Sequence, residues 1–305
     1  MFENLINKLR EDRFITLETT PGHEPTIEPI IKKLENLKNI EKLCGFTTTD
    51  NPLARLKYNS ILASIKLQNR FKKPVIATIS MRDRNKIALQ SDLLGANDFD
   101  IRAILALTGD PAKISDQPNT KGVFEGDSTL LLDIIKCFNA GIDYAGKPFK
   151  IRPKKIYPFA VSNAYAKKDT TLAKKFAKKI EHGAVGIITQ PVFDVENAKN
   201  LLNIFEQTRK NFSNEKAKSE LIFGFFPITK LRTAQFLASH VPGINVPSNL
   251  VDILYKANKI SEEEEFKVGI EFSKNLFKEL LKIHPKIHIM TANKFELADE
   301  ILNNI

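Results

Sequence analysis

The sequence predicts an α/β fold, a single-domain closed (β/α)8 TIM barrel over residues 1–305 with extra helices before the last strand. Three observations predict it. Short apolar runs alternate with longer stretches of helical period, the pattern of parallel β/α units. Eight apolar runs can be counted, and each reads as buried on both faces, with no G-x-G-x-x-G after any of them, which favours closure over an open doubly wound sheet. A chain of 305 residues, 42% hydrophobic and without a dividing linker, suits one barrel.

The eight strand candidates run in order as "RFITLETT" (13–20), "KLCGFTTT" (42–49), "PVIATISM" (74–81), "AILALTGD" (103–110), "YPFAVSN" (157–163), "VGIITQPVF" (185–193), "LIFGFFPI" (221–228) and "KIHIMTA" (286–292). Helical faces lie between them. Leu172, Ala173, Phe176, Ala177 and Ile180 form one apolar stripe, and Ala198, Leu201, Leu202 and Phe205 form another. The polar, proline-bearing stretch 111–126 reads as a long excursion after the fourth strand, a length that often accompanies function. A second irregular stretch, "VPGINVPSN" (241–249), leads into the extra helices at about 247–283. No internal repeat or low-complexity tract is present.

A net charge of +10 raises the question of nucleic acid. The lysines are scattered over many helices, as in "KKFAKKIEHG", and are not interleaved with aromatics in one strip, so solvated helix faces are expected and nucleic acid is not. A subset can still attract an anionic ligand such as a dinucleotide pyrophosphate or a polyglutamate tail. No stretch approaches about 18 consecutive apolar residues, and the N-terminal segment has no apolar signal core, so a cytoplasmic protein without a membrane span is expected. Cys44 and Cys137 form no CxxC pair, and the five histidines show no HExxH spacing. Neither a disulfide nor a metal is expected, and both cysteines read as core packing.

In a barrel of this kind the site is built at the C-terminal ends of the strands. Glu18 follows "FITL" at the top of the first strand, where it is placed for general-acid work or for stabilising its own loop. Asp110 closes the fourth run behind a glycine that lets backbone approach a ligand, and it reads equally as a turn cap beside Pro111. Gln190 ends "GIITQ", where an amide can orient a planar heterocycle or satisfy neighbouring backbone. Thr47, Thr48 and Thr49, followed by Asp50 and Asn51, offer hydroxyls and a carboxylate, although threonines are ordinary strand residues.

Together these segments resemble the methylenetetrahydrofolate reductase family over nearly the whole chain. The resemblance is carried by "ITLETTP", "ILALTGDP", "KKIEHGAVGIITQPVFDVE", "FFPITK" and "HIMTANK", of which the sixth-strand segment is the most specific. "MRDRNKIALQSDLLGA" and "SHVPGINVPSN" further resemble the branch found fused to homocysteine methyltransferase domains; no such domain is expected here. The resemblance implies an FAD-dependent enzyme that takes hydride from NADH or NADPH and passes it to a folate-bound one-carbon unit by a ping-pong route.

By the same resemblance Glu18 is the acid that opens the folate imidazolidine ring, and Asp110 holds the pterin and sets the field near the flavin. Gln190, Leu231 and Lys294 fall at substrate-binding positions. Thr47 corresponds to a nicotinamide-nucleotide contact, and Thr48, Asp50, Gly109, Lys178 and Lys179 fall at FAD-contacting positions. Four positions depart from the best-known bacterial members. At cofactor-binding positions Thr78 stands in place of a histidine and Thr108 of an arginine, and a tyrosine of those members falls near the position of Ser162; Leu231 stands in place of a folate-touching phenylalanine. Two alternatives stay open: oxidation of methyltetrahydrofolate by the same fold, and a non-catalytic flavin- or folate-binding partner subunit. Homo-oligomer formation is a further expectation.

Overall fold

Alternation along each strand decides the architecture, because a strand covered on both faces sends every second side chain to the helices and the rest into the lumen. In the computed structural model, which describes residues 1–241 and 243–303, eight parallel strands close in sequence order into a barrel. They are β1 (Phe14–Thr19), β2 (Gly45–Thr48), β3 (Val75–Ser80), β4 (Ala103–Leu107), β5 (Tyr157–Ser162), β6 (Gly186–Pro191), β7 (Glu220–Phe225) and β8 (Lys286–Ile289). The ring closes where β1 pairs with β8, Phe14 opposite Lys286 and Leu17 opposite Ile289. All eight expected runs are strands, each ending earlier than expected, and β7 begins one residue sooner, at Glu220.

Helices α2 (Glu28–Glu35), α3 (Ser60–Phe71), α4 (Lys86–Asp98), α5 (Ser128–Ala140), α6 (Asp169–Glu181) and α7 (Val195–Arg209) cover the outside. Between β7 and β8 stand α8 (Leu231–His240), α9 (Ser248–Asn258) and α10 (Glu262–Ile283), and α11 (Phe295–Leu302) follows the last strand. The outward strand residues, among them Ile15, Leu17, Phe46, Ile79, Ile104 and Ile187, join the helices' apolar faces in the larger core. Phe14, Ile76, Leu105, Phe159, Ile188 and Ile222 point inward and fill the lumen. A filled lumen makes the barrel a scaffold and not a channel.

The N-terminal helix α1 (Phe2–Glu11) precedes the first strand and has a place of its own. Phe2, Leu5, Ile6 and Leu9 recur at helical spacing and all pack against the lumen cluster, so α1 stoppers the N-terminal end of the barrel. Just inside that end, Lys286 Nζ stands 2.9 Å from Glu220 Oε2, and Arg209 Nη1 stands 3.0 Å from Glu220 Oε1. Such pairing is what a charge taken out of water requires.

The structure differs from the sequence reading at two points. The apolar run ending at Asp110 is a strand only to Leu107, so Thr108, Gly109 and Asp110 lie in a loop beyond it. The cysteines are only half-buried, Cys44 at the edge of the lumen cluster and Cys137 on α5. The Phe-Asp pair of the sixth-strand segment has a structural role: Phe193 is buried, and Asp194 caps α7 by accepting from Asn197 N at 2.6 Å. Asp194→Ala should therefore cost about 1 kcal/mol, read as a lower denaturant midpoint at unchanged slope.

Candidate active site

The lumen residues of β1 run Phe14, Thr16, Glu18, so alternation delivers a carboxylate to the barrel mouth. Glu18 retains 24% side-chain exposure. It lines a cleft of about 280 Å³ whose floor is Leu105, Leu107, Val161 and Ile188 and whose rim includes Thr78, Asp110 and Gln190. A second cleft, about 460 Å³, adjoins it at Leu107, Gly109, Asp110, Val161 and Gln190 and runs out to Lys175, Lys178 and Lys179. Clefts of about 550 and 530 Å³ lie elsewhere, at the α1 end and between α2 and α11. In the first the lining charges already pair with one another, as Arg209 does with Glu206 and Glu220; in the second Asp299 accepts from Lys38 N and Asn39 N, and Glu300 pairs with Lys274 outside the lining. The mouth differs in combining an apolar floor with polar atoms still in need of partners.

Asp110 reaches the mouth because Gly109 turns the chain there. Gly109 has φ +91°, and a Cβ at that position would stand 2.3 Å from Ser80 Oγ, so backbone conformation and space both require glycine. Asp110 Oδ2 accepts from Leu53 N at 2.7 Å, tying the β2 loop to the β4 loop. Gln190 comes from β6, and its Oε1 is buried without a partner. Ser162 Oγ and Thr49 Oγ1 are in the same condition. Each such atom costs on the order of 1–3 kcal/mol, and all three face one or other of the two clefts.

Strand alternation sorts the threonines. Thr47 faces the lumen opposite Glu18 in the β1–β2 register, and Thr78 lines the cleft. Thr48 points the other way, with its hydroxyl 3.1 Å from Ser60 O and 2.8 Å from Ser64 Oγ on α3, which removes it from the expected cofactor contacts. Asp50 borders the cleft, but its Oδ2 accepts from Ser80 N at 2.9 Å and from Arg84 Nη1 at 2.5 Å. Arg84 also reaches Asp92 at 2.6 Å. Burial works against the Arg84 charge, and the Asp50 carboxylate more than offsets it, raising the guanidinium above its ordinary value. Asp50 thus braces the β2 and β3 loops.

The remaining expected positions separate. Thr108 is exposed, its Oγ1 accepting from Ser128 N at 3.1 Å, and it lines the second cleft with Ser162. Leu231 opens α8, where its N donates to Glu265 Oε1 and its side chain packs against the cluster of Phe193, Ile228, Leu250 and Leu254. Lys294 is exposed and borders the cleft between α2 and α11. Neither residue lines the mouth.

Three residues that sequence reasoning passed over belong to the site. Lys175, on the same face of α6 as Lys178 and Lys179, was signalled by its i, i+3, i+4 spacing. Arg82 is buried at the cleft, its Nη2 donating to Asn51 O at 3.0 Å and to Asp83 Oδ2 at 2.6 Å. His288, the first residue of "HIMTANK", is buried in the lumen beneath Glu18.

The lysines differ in how far their charge is already met. Lys178 Nζ pairs with Asp127 Oδ2 at 2.6 Å; burial pushes the Asp127 carboxyl up, and the hydrogen bonds from Lys178 and Thr129 outweigh it and hold the group well below the usual range. Lys179 contacts the neutral Ser128 hydroxyl, and burial lowers its ammonium from the ordinary value. Lys179 therefore has most to gain from an incoming anion.

A flavin dinucleotide tests well against these features. An apolar floor suits a planar ring, the unpartnered Ser162 and Gln190 oxygens suit its polar edge or that of a bound heterocycle, and the α6 lysines suit a pyrophosphate. Among the described residues no cluster of side chains is arranged to hold a metal ion, and no helix is long and apolar enough to cross a membrane.

A family model described as methylenetetrahydrofolate reductase matches residues 2–305. No curated protein is matched by the chain. Among solved structures, an uncharacterised protein from Clostridium thermocellum that binds two copies of 5-methyl-5,6,7,8-tetrahydrofolic acid is 18% identical with a TM-score of 0.64, over 100% of this chain and 99% of that one. An F420-dependent secondary alcohol dehydrogenase in complex with an F420-acetone adduct gives 9% and 0.58, over 96% and 98% of the two chains. DmoA from Hyphomicrobium sulfonivorans gives 7% and 0.53, over 95% and 85%. At these identities the likeness is one of fold.

Proposed function

The chain belongs to the methylenetetrahydrofolate reductase family, and from that premise we propose that it is an FAD-dependent oxidoreductase reducing 5,10-methylenetetrahydrofolate to 5-methyltetrahydrofolate with NADH or NADPH. The observation that carries this reading is the mouth itself. One cleft brings Glu18, Asp110 and Gln190 around an apolar floor, and a lysine-lined cleft continues from it.

The balance of the reaction assigns the roles. One hydride and one proton are added to the folate, and the nicotinamide donor leaves oxidised. FAD, which the α6 lysines and the apolar floor would hold, would supply the redox chemistry that links oxidation of the nicotinamide to reduction of the folate methylene carbon. Glu18 gives the proton to the folate nitrogen freed when the imidazolidine ring opens, leaving its own carboxylate. Gln190 orients the pterin edge by hydrogen bonds. Leu105, Leu107, Val161 and Ile188 exclude water from the face where hydride moves. Lys178 and Lys179, with Lys175 beside them, hold the pyrophosphate.

The test is spectroscopic: purified protein titrated with FAD should take up the flavin, and anaerobic NADH or NADPH should then bleach its visible bands. Protein that takes up no flavin would end the proposal. Lys179→Gln should weaken FAD binding by about tenfold, the order of a charge-assisted hydrogen bond, whereas Lys178→Gln should cost less because Lys178 is already neutralised by Asp127. An FAD titration by fluorescence quenching compares the two.

A second reading, binding without turnover, is favoured by one fact: the Clostridium thermocellum protein is described by the methyltetrahydrofolate it binds. Methyltetrahydrofolate binding with no bleaching by NADH or NADPH would select it. Flavin reduction by methyltetrahydrofolate that outruns the forward reaction would select the oxidative direction.

A further inference from the structure

We propose that His288 is a positioning residue for Glu18, held in the Nε2–H tautomer by Thr16 so that its ring N–H steadies the carboxylate left when Glu18 gives up its proton. This rests on the reading of Glu18 as the acid. The geometry lies wholly within the lumen. His288 is 2% exposed on β8, with Nδ1 2.9 Å from Thr16 Oγ1. Its Nε2 stands 3.5 Å from Thr47 Oγ1 and 3.9 Å from Glu18 Oε2.

A buried histidine is expensive unless both ring nitrogens have work, and a leucine or methionine would fill the same volume without desolvating a polar ring. Thr16 accounts for one nitrogen. Its buried hydroxyl proton has Nδ1 as its close acceptor, so donation from Thr16 leaves the ring proton on Nε2. Nε2 then points toward two groups, a threonine at marginal hydrogen-bond distance and the carboxyl of the acid. A core histidine satisfied by its neighbours would show two short contacts, and this one shows a single short contact and a donor left near Glu18.

The surrounding charges fit that role. Among the described residues, His288 is the basic group within 4.0 Å of Glu18. One layer toward α1, the ionic pair of Lys286 and Glu220 has its charges matched to each other. A charge developing on Glu18 therefore meets the His288 dipole first. Closing the 3.9 Å gap takes only a small carboxyl movement, because Glu18 is partly exposed and has freedom that His288 lacks.

A hydrogen bond to a charged group is worth a rate factor of about 10–100. His288→Leu should slow the folate half-reaction by about that factor and leave flavin reduction by NADH within about threefold. His288→Gln, whose amide N–H can reach the same place, should restore most of the loss. The readout independent of turnover is the imidazole 15N–1H spectrum of the protein without flavin. It should show the Nε2–H tautomer for His288, with a resonance that moves in Glu18→Gln. The inference is overturned by an Nδ1–H tautomer, by equal slowing of both half-reactions, or by a glutamine variant as slow as the leucine one. Should Glu18→Gln itself leave the folate half-reaction untouched, the acid assignment fails instead, and the tautomer measurement still decides whether Thr16 orients the ring.

Discussion

Glu18→Gln should slow the folate half-reaction by about 10²–10⁴-fold, the contribution of a general acid, while NADH should still reduce the flavin at a near-normal rate. Glutamine keeps the length and planarity of the side chain, and the structure gives the Glu18 carboxyl no buried ion pair at hydrogen-bond distance whose loss would unfold the mouth: His288 Nε2, at 3.9 Å, is its only ionic contact among the described residues. What the variant lacks is the proton. Hydride transfer from nicotinamide to a flavin needs none from this position, whereas opening the imidazolidine ring leaves a nitrogen that must be protonated. Stopped-flow absorbance on each half separately reads the difference. Equal slowing of both halves would make Glu18 a binding residue, and no slowing of either would remove it from the chemistry.

Asp110→Asn is expected to lower folate turnover by about 10–100-fold, the order of losing a charged hydrogen-bond partner, and to shift the potential of the bound flavin. The fold should survive, because the amide oxygen of asparagine can still accept from Leu53 N, the bond that ties the two loops together. The negative charge would be gone from a position bordering both clefts. Potentiometric titration together with steady-state kinetics checks the pair of effects. A variant unchanged in both would mean that Asp110 serves as a loop tie alone.

The barrel was legible because burial on two faces writes itself into eight apolar runs, and closure follows from counting them. The site was legible only where a residue's position along its strand sufficed. Glu18, Thr47 and Thr78 follow from period two, and so does the loss of Thr48, since adjacent strand residues face opposite sides and only one of the pair can reach the mouth. Asp50 looked like a ligand contact because its engagement with Arg84 lies across 34 residues of sequence, a tertiary relation that spacing does not encode. Lys294 and Leu231 were carried over from motifs. Their segments fold as expected, yet the side chains leave the mouth, Lys294 toward α2 and Leu231 into the cluster built by the extra helices. His288 stood in plain view at the head of a motif, but nothing in one strand reveals that Thr16 and Glu18 from another would bracket its ring.

The stopper helix at the N-terminal end of the barrel also sets a timetable. Phe2, Leu5, Ile6 and Leu9 dock on a surface assembled from Phe14, Ile76, Leu105, Phe159, Ile188 and Ile222, contributed by strands spread along most of the chain. The ring carrying that surface closes only when β8 pairs with β1. At about 5–20 residues per second of synthesis, α1 leaves the ribosome roughly 15–60 s before the last strand exists. Throughout that interval its four apolar side chains lack the full surface that covers them in the closed barrel, so α1 is made well before the last of its packing partners.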